Sequence, residues 1–185
     1  MKPCHRRVVH TGYENENIMA DMPQIRFSHF IEQFPQLELP ITFGEDTVRR
    51  ISKETPPLPP RMIDQFLVPM EPTQVNEEFT EFIACLRLPE ADDYIGIVYW
   101  RADLAQYHYT LVTLNPKTEE VIDRLVLAGT SYDGQELSQT TAAITEALMI
   151  YQVSGQGAGG DFDYQASGST ARRFQIADSG KVVEL

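Results

Sequence analysis

The chain has 185 residues, 42% hydrophobic and 23% charged, and its 27 acidic and 15 basic side chains leave a net charge of −12. A domain of this length buries about 70% of the surface its unfolded chain exposes, so a core forms without disulfide or metal support. Composition excludes a largely disordered chain, the lack of any ~18-residue apolar run excludes a membrane-spanning helix, and the acidic field excludes sequence-independent nucleic-acid binding.

The charge is uneven. Residues 1–70 carry 8 basic and 9 acidic groups, whereas residues 71–185 carry 7 and 18. The bland consequence is solubility, and the sharper one is an acidic face for a basic protein or peptide partner. Cys4 and Cys85 lie far apart and make no disulfide framework. Cys85, inside the run FIACLRL, reads as a small buried hydrophobe. Residues 1–18 have the basic start of a signal peptide without its apolar centre, so they read as an unstructured lead before Met19, and the expected compartment is cytoplasmic.

Phe27, Phe30, Ile31 and Phe34 fall at helical spacing, with Asp21 as N-cap, Pro23 near the first turn and Pro35 as the stop. QLELPITFG is a short extended piece, and EDTVRRISKE adds a helical turn with Val48 and Ile51 inward. TPPLPP holds four prolines in six residues and predicts a stiff polyproline connector. RMIDQFLV again has helical spacing, at Met62, Ile63, Phe66 and Leu67, closed by Pro69. From Phe79 the texture is β: Phe79–Leu88, then Tyr94–Trp100 as a central strand, then Tyr107–Leu114 and Val121–Leu127 joined by the turn Asn115–Thr118. Asp133-Gly134 marks another turn. TTAAITEALMIYQVSG is ambiguous, with strand favoured over 147–153. Residues 154–170 predict a long glycine-rich loop, and Phe174–Ala177 with Lys181–Leu185 a closing hairpin.

The expected fold class is therefore α+β: an antiparallel meander of five or six strands with short N-terminal helices packed on one face or edge. After the lead 1–18, residues 19–185 form a single domain, divided into a helical and extended part (19–70) and a β-sheet body (71–185). The F-P-x-L-x-L-P turn (Phe34–Pro40), the hairpin entered through Thr113-Leu114-Asn115 and the closing Phe174-x-Ile176 … Gly180-Lys181-Val182 hairpin give the chain its signature. In this order it resembles a loose group of uncharacterised β-rich bacterial proteins, many of them predicted lipoproteins. The resemblance spans roughly residues 27–185 and implies a β-rich fold and an envelope location, with no activity to carry over.

Motifs that could carry chemistry lack their required context. Gly155–Gly160 satisfies G-x-G-x-x-G, but DFDYQASGST after it has no helical period, so no βαβ unit fits. Pro56–Arg61 matches P-x-x-P followed by a base and serves equally as a spacer. Cys4, His5 and His10 lie in the lead, His29 faces away from the apolar side of its helix, and His108 stands alone between two tyrosines. Asp161-x-Asp163 is similar to a calcium loop but lacks its further ligands. Glu77-Glu78, Asp92-Asp93 and Glu119-Glu120 are adjacent pairs, which diverge on a strand or sit in turns. No G-x-S-x-G elbow exists. The sequence thus predicts no catalytic residues, no metal and no cofactor.

Two functions follow. The favoured one is a non-enzymatic acidic β-sheet module that binds a protein or peptide, with Tyr94, Tyr99, Trp100, Tyr107 and Tyr109 as its aromatic surface. The alternative is a small-molecule-binding domain or enzyme, with a pocket between sheet and helices covered by the loop 154–170. A pocket with two or more buried ionisable side chains would favour the alternative.

Overall fold

The structure, a computed structural model, describes residues 24–76, 78–132, 134–158 and 169–185. Short helices come first: α1 (Phe27–Ile31), α2 (Thr47–Glu54) and α3 (Pro60–Met62), with strand β1 (Ile41–Phe43) between α1 and α2. α3 continues through a π-helical turn (Ile63–Leu67) into α4 (Val68–Met70). Strands β2 (Glu81–Arg87), β3 (Ile95–Asp103), β4 (Gln106–Leu114), β5 (Val121–Tyr132), β6 (Glu136–Ile144), β7 (Met149–Ala158), β8 (Thr170–Ile176) and β9 (Val182–Glu184) follow. Among the described residues these form one antiparallel sheet in sequence order, β2 to β9, with β1 paired to β6.

β6 is shared between two partners on one edge. Leu137–Thr140 pair with β5, and Ala142–Ile144 pair with β1. Two β5 carbonyls beyond the β5–β6 ladder, those of Val126 and Leu127, accept from the Gln152 side chain of β7 at 2.8 and 2.7 Å. Buried carbonyls need such partners. The sheet also curves back on itself. In the turn before β9, Gly180 O accepts from Thr113 Oγ1 (2.7 Å), and Val182 N donates to Asp123 Oδ2 (3.0 Å). Gly180 has φ +83° and would place a Cβ 2.8 Å from that of Tyr94, so the close approach requires glycine.

The core has two parts, set by the alternation of β2–β4. Leu86, Val98, Tyr109 and Leu111 join Phe43, Ile144, Ile150 and Phe174 in one cluster. Phe82, Ala84, Ile97, Tyr99, Val112 and Leu114 point the other way, into a cluster with Phe27, Phe30, Phe34, Leu58, Met62, Phe66 and Leu67. β3 is buried on both faces, as its β-branched and aromatic composition predicts. In β2, Ala84 pairs with Tyr99 and Leu86 with Val98, leaving Cys85 as the extra residue of a bulge. Cys85 is a buried free thiol, and burial pushes its pKa up, which makes it unreactive.

Several local expectations change. α1 starts at Phe27 with Arg26 at its N-cap position, and Asp21 and Pro23 lie outside the described residues. The helix at residues 60–70 runs through Pro69 to Met70. The π turn before it widens the helix where the proline ring would crowd the preceding carbonyl. Residues 136–144 form β6, a strand the sequence did not announce, and the main sheet has more than the five or six strands expected. The loop drawn over 154–170 is too long: Ser154–Ala158 continue β7 against Glu136–Thr140, and Thr170 begins β8. Residues 159–168 of that segment, with the Asp161-x-Asp163 pair, and the lead 1–18 lie outside the described residues. No helix among the described residues is long and apolar enough to cross a membrane.

Candidate functional site

The chain leaves α4 at Glu71, whose carboxylate reaches side chains of β3 and β5. Tyr99 and Arg101 share one face of β3, and Arg101 pairs in register with His108 on β4, which in turn pairs with Gly129 on β5. Arg124 lies on β5 opposite Val112. These strands therefore bring residues far apart in sequence to one place.

The Glu71 carboxylate, only 1% exposed, is the hub. It accepts from the Tyr99 hydroxyl, from Arg101 Nη1 at 2.6 Å and from Arg124 Nη2 at 3.1 Å to both oxygens. Arg101, 4% exposed at its side chain, also donates to Thr73 Oγ1 (3.0 Å) and lies 3.0 Å from Asp103 Oδ2. Asp103 in turn accepts from Thr80 at 2.6 Å. Burial raises the cost of the Glu71 charge, but the Tyr99 hydroxyl and the two guanidiniums outweigh it and hold the carboxyl below its usual value. Two arginines and two carboxylates balance, so the cluster is neutral.

Beside the cluster is a cleft of about 500 Å³, lined by Glu71, Thr73, His108, Arg124, Gly129 and hydroxyls of β5 and β6. That volume lies within the range of small-molecule sites. Its groups are unequally satisfied. Glu71 is saturated, Thr130 donates to the Tyr107 hydroxyl and Thr140 is bonded to Ser154. His108 Nε2 is buried with no hydrogen-bond partner among the described residues. Burial lowers the His108 pKa, and the pull of Glu71 and Asp103 is opposed by Arg101 and Arg124, so the imidazole is neutral at pH 7. A larger depression, about 1070 Å³, lies beside α2, but its charged groups Glu38, Glu45, Asp46, Arg50 and Glu54 are all exposed.

His108 sets a pH dependence. Its folded pKa is below the ordinary 6.5, so the unfolded chain binds more protons in the window just under that value. The stability it supports is complete above pH 6.5 and declines as pH falls. His108→Gln should therefore show a smaller drop in urea midpoint than wild type between pH 7.5 and 5.5; equal drops would refute the assignment. Gly129 forms the floor for a steric reason. A Cβ there would lie 2.3 Å from Tyr107 O and 2.8 Å from His108 Cα, both backbone atoms. Gly129→Ala should cost about 2–3 kcal/mol by forcing β4 and β5 apart, measurable by denaturant unfolding.

The aromatic surface expected from sequence is not a surface. Tyr94, Tyr99 and Tyr109 are buried in the two clusters, and Trp100 and Tyr107 are half-buried, their rings 6.0 Å apart. Tyr99 does take part in the site, through Glu71. Leu58 is buried and anchors the proline-rich segment to the core, which favours the spacer role. His29 pairs with Arg26 on α1, away from the cleft. Cys4, His5 and His10 lie outside the described residues, as does Glu77, while Glu78, Asp92, Asp93, Glu119 and Glu120 are exposed. Among the described residues no group of three or more His, Cys, Asp or Glu side chains is placed to hold a metal. Sequence reasoning set His108 aside and missed Glu71, Arg101 and Arg124. One signal was present: Arg101 follows Ile97 and Tyr99 on the same face of a strand, and a cation on a buried face requires a carboxylate partner.

No family model, curated protein or solved structure matches the chain.

Proposed function

We propose that the protein is a non-enzymatic binding domain whose cleft takes a small, neutral molecule rich in hydrogen-bonding groups, sugar-like or amide-like. The observation that carries this is the cleft wall, where His108, whose buried Nε2 has no hydrogen-bond partner among the described residues, stands with Arg124 and the hydroxyls of β5 and β6. A buried polar atom without a partner costs about 1–3 kcal/mol, and a ligand atom that meets Nε2 as the His108 ring turns towards the cleft recovers it. The cluster's charge balance and the chain's −12 both select against an anionic ligand. Among the described residues none of the cleft's hydroxyls is bonded to His108, so no nucleophile–base pair supports catalysis. In this reading the helical segment forms a layer on one face of β2–β4, and its end delivers Glu71, which holds Arg124 in place.

The test is a 1H–15N NMR titration with glucose, myo-inositol and N-acetylglucosamine to 50 mM, beside citrate and phosphate. A neutral probe should shift the amides of Gly129, Ser131, Ser138 and Thr140, and the anions should leave them in place. Shifts from the anions alone, shifts elsewhere or none at all would overturn the reading.

A further inference from the structure

The outer face of the sheet's C-terminal half differs from the rest of this acidic chain. Register places Ala143, Tyr151, Arg173 and Leu185 in one row across β6 to β9, flanked by Val153 on one side and Val183 on the other. Tyr151, Val153, Val183 and Leu185 are 48%, 46%, 47% and 56% exposed. Among the described residues of β6 to β9 no aspartate or glutamate side chain shares this face, although the chain carries 27 of them. The charge on it is Arg173, which has no ion-pair or side-chain hydrogen-bond partner among the described residues. Arg172, its neighbour in sequence, points to the other face and pairs with Glu184 at 2.7 Å.

We infer that this face is the interface of a symmetric dimer, its occupant a second copy of the chain. The exposed apolar side chains stand in two pairs, Tyr151 with Val153 and Val183 with Leu185, on either side of Arg173 on a face shared with Thr141 and Gln175, and such side chains gathered on one sheet face mark a contact surface. Two sheets pack face to face about 10 Å apart. A two-fold axis along the strands, between the adjacent Tyr151 and Arg173, sets each guanidinium over the other copy's phenol ring. The pairing is reciprocal, as a two-fold interface requires, and is a cation–π contact that needs no carboxylate. Two bodies of charge −12 can approach closely only where neither presents an acid. Four strands at ~4.8 Å spacing give a patch of modest width, at the small end of specific interfaces, so the dimer is weak.

Sedimentation velocity from 5 to 500 µM tests this. The wild type should move from monomer to dimer across that range, and the dimer should strengthen between 20 and 300 mM NaCl, because salt screens the repulsion of the two bodies. Tyr151→Glu and Val153→Lys, both at exposed positions, should remain monomeric at 500 µM with an unchanged circular-dichroism spectrum. A wild type that is monomeric at 500 µM in 300 mM NaCl overturns the inference. So does a dimer that survives both substitutions, or one that weakens as salt rises.

Discussion

Glu71→Gln is expected to lower the unfolding free energy by about 3–5 kcal/mol, because it leaves the partly buried Arg124 without a carboxylate and the buried Arg101 with Asp103 alone. Gln keeps the shape of Glu71, so the loss reports charge and hydrogen bonding and not a cavity. The carboxyl accepts from Tyr99, Arg101 and Arg124, and among the described residues no other carboxylate reaches the Arg124 guanidinium. The pH dependence gives a second check. A carboxyl held below its usual value supports stability that is present above the ordinary glutamate range and is lost as pH falls through the folded value. The difference between wild type and variant in urea unfolding should therefore be full at pH 7 and shrink towards pH 3. A loss below about 1 kcal/mol at pH 7 would show that the cluster is hydrated and does not organise the site.

The second large effect is Phe30→Ala, with an expected loss of about 3–5 kcal/mol. Phe30 is fully buried, stacks on Phe66 at 4.6 Å and meets Phe34 edge-on at 5.2 Å. The same cluster contains Ile97, Tyr99 and Val112 of the sheet. If the helical segment is a layer on β2–β4, removing this ring opens a cavity that the sheet cannot close. A loss near that of an exposed substitution, within about 0.5 kcal/mol, would separate the helices from the sheet's stability.

The elements that were legible in the sequence carry their signal locally. β3 has apolar residues on both faces because both faces are covered, and Phe27, Phe30 and Ile31 mark α1 by their spacing. β6 was not legible because ELSQTT has no apolar alternation. Its first half lines the cleft through Ser138 and Thr140, and only Ala142 and Ile144 enter the core. Glycines hid the end of β7, where Gly155 pairs with Gln139 in an open position that favours no side chain. The site itself joins residues 71, 101, 108 and 124, which no local period connects. The ladder of β3, β4 and β5 brings 101, 108 and 124 together and the segment after α4 adds Glu71, so three charged side chains are largely buried at a place no sequence window contains. Of the aromatics expected on a partner-binding surface, Tyr94, Tyr99 and Tyr109 are taken up by the core, and Trp100 and Tyr107 are half-buried.

The most direct measurement is a crystal structure of the full chain soaked in turn with glucose, myo-inositol and N-acetylglucosamine. The account predicts one of these in the cleft, with a polar atom within hydrogen-bond distance of His108 Nε2, another contacting Arg124, and the Glu71 cluster unchanged. A cleft that stays free of all three, or a His108 Nε2 bonded to a protein group, would contradict it.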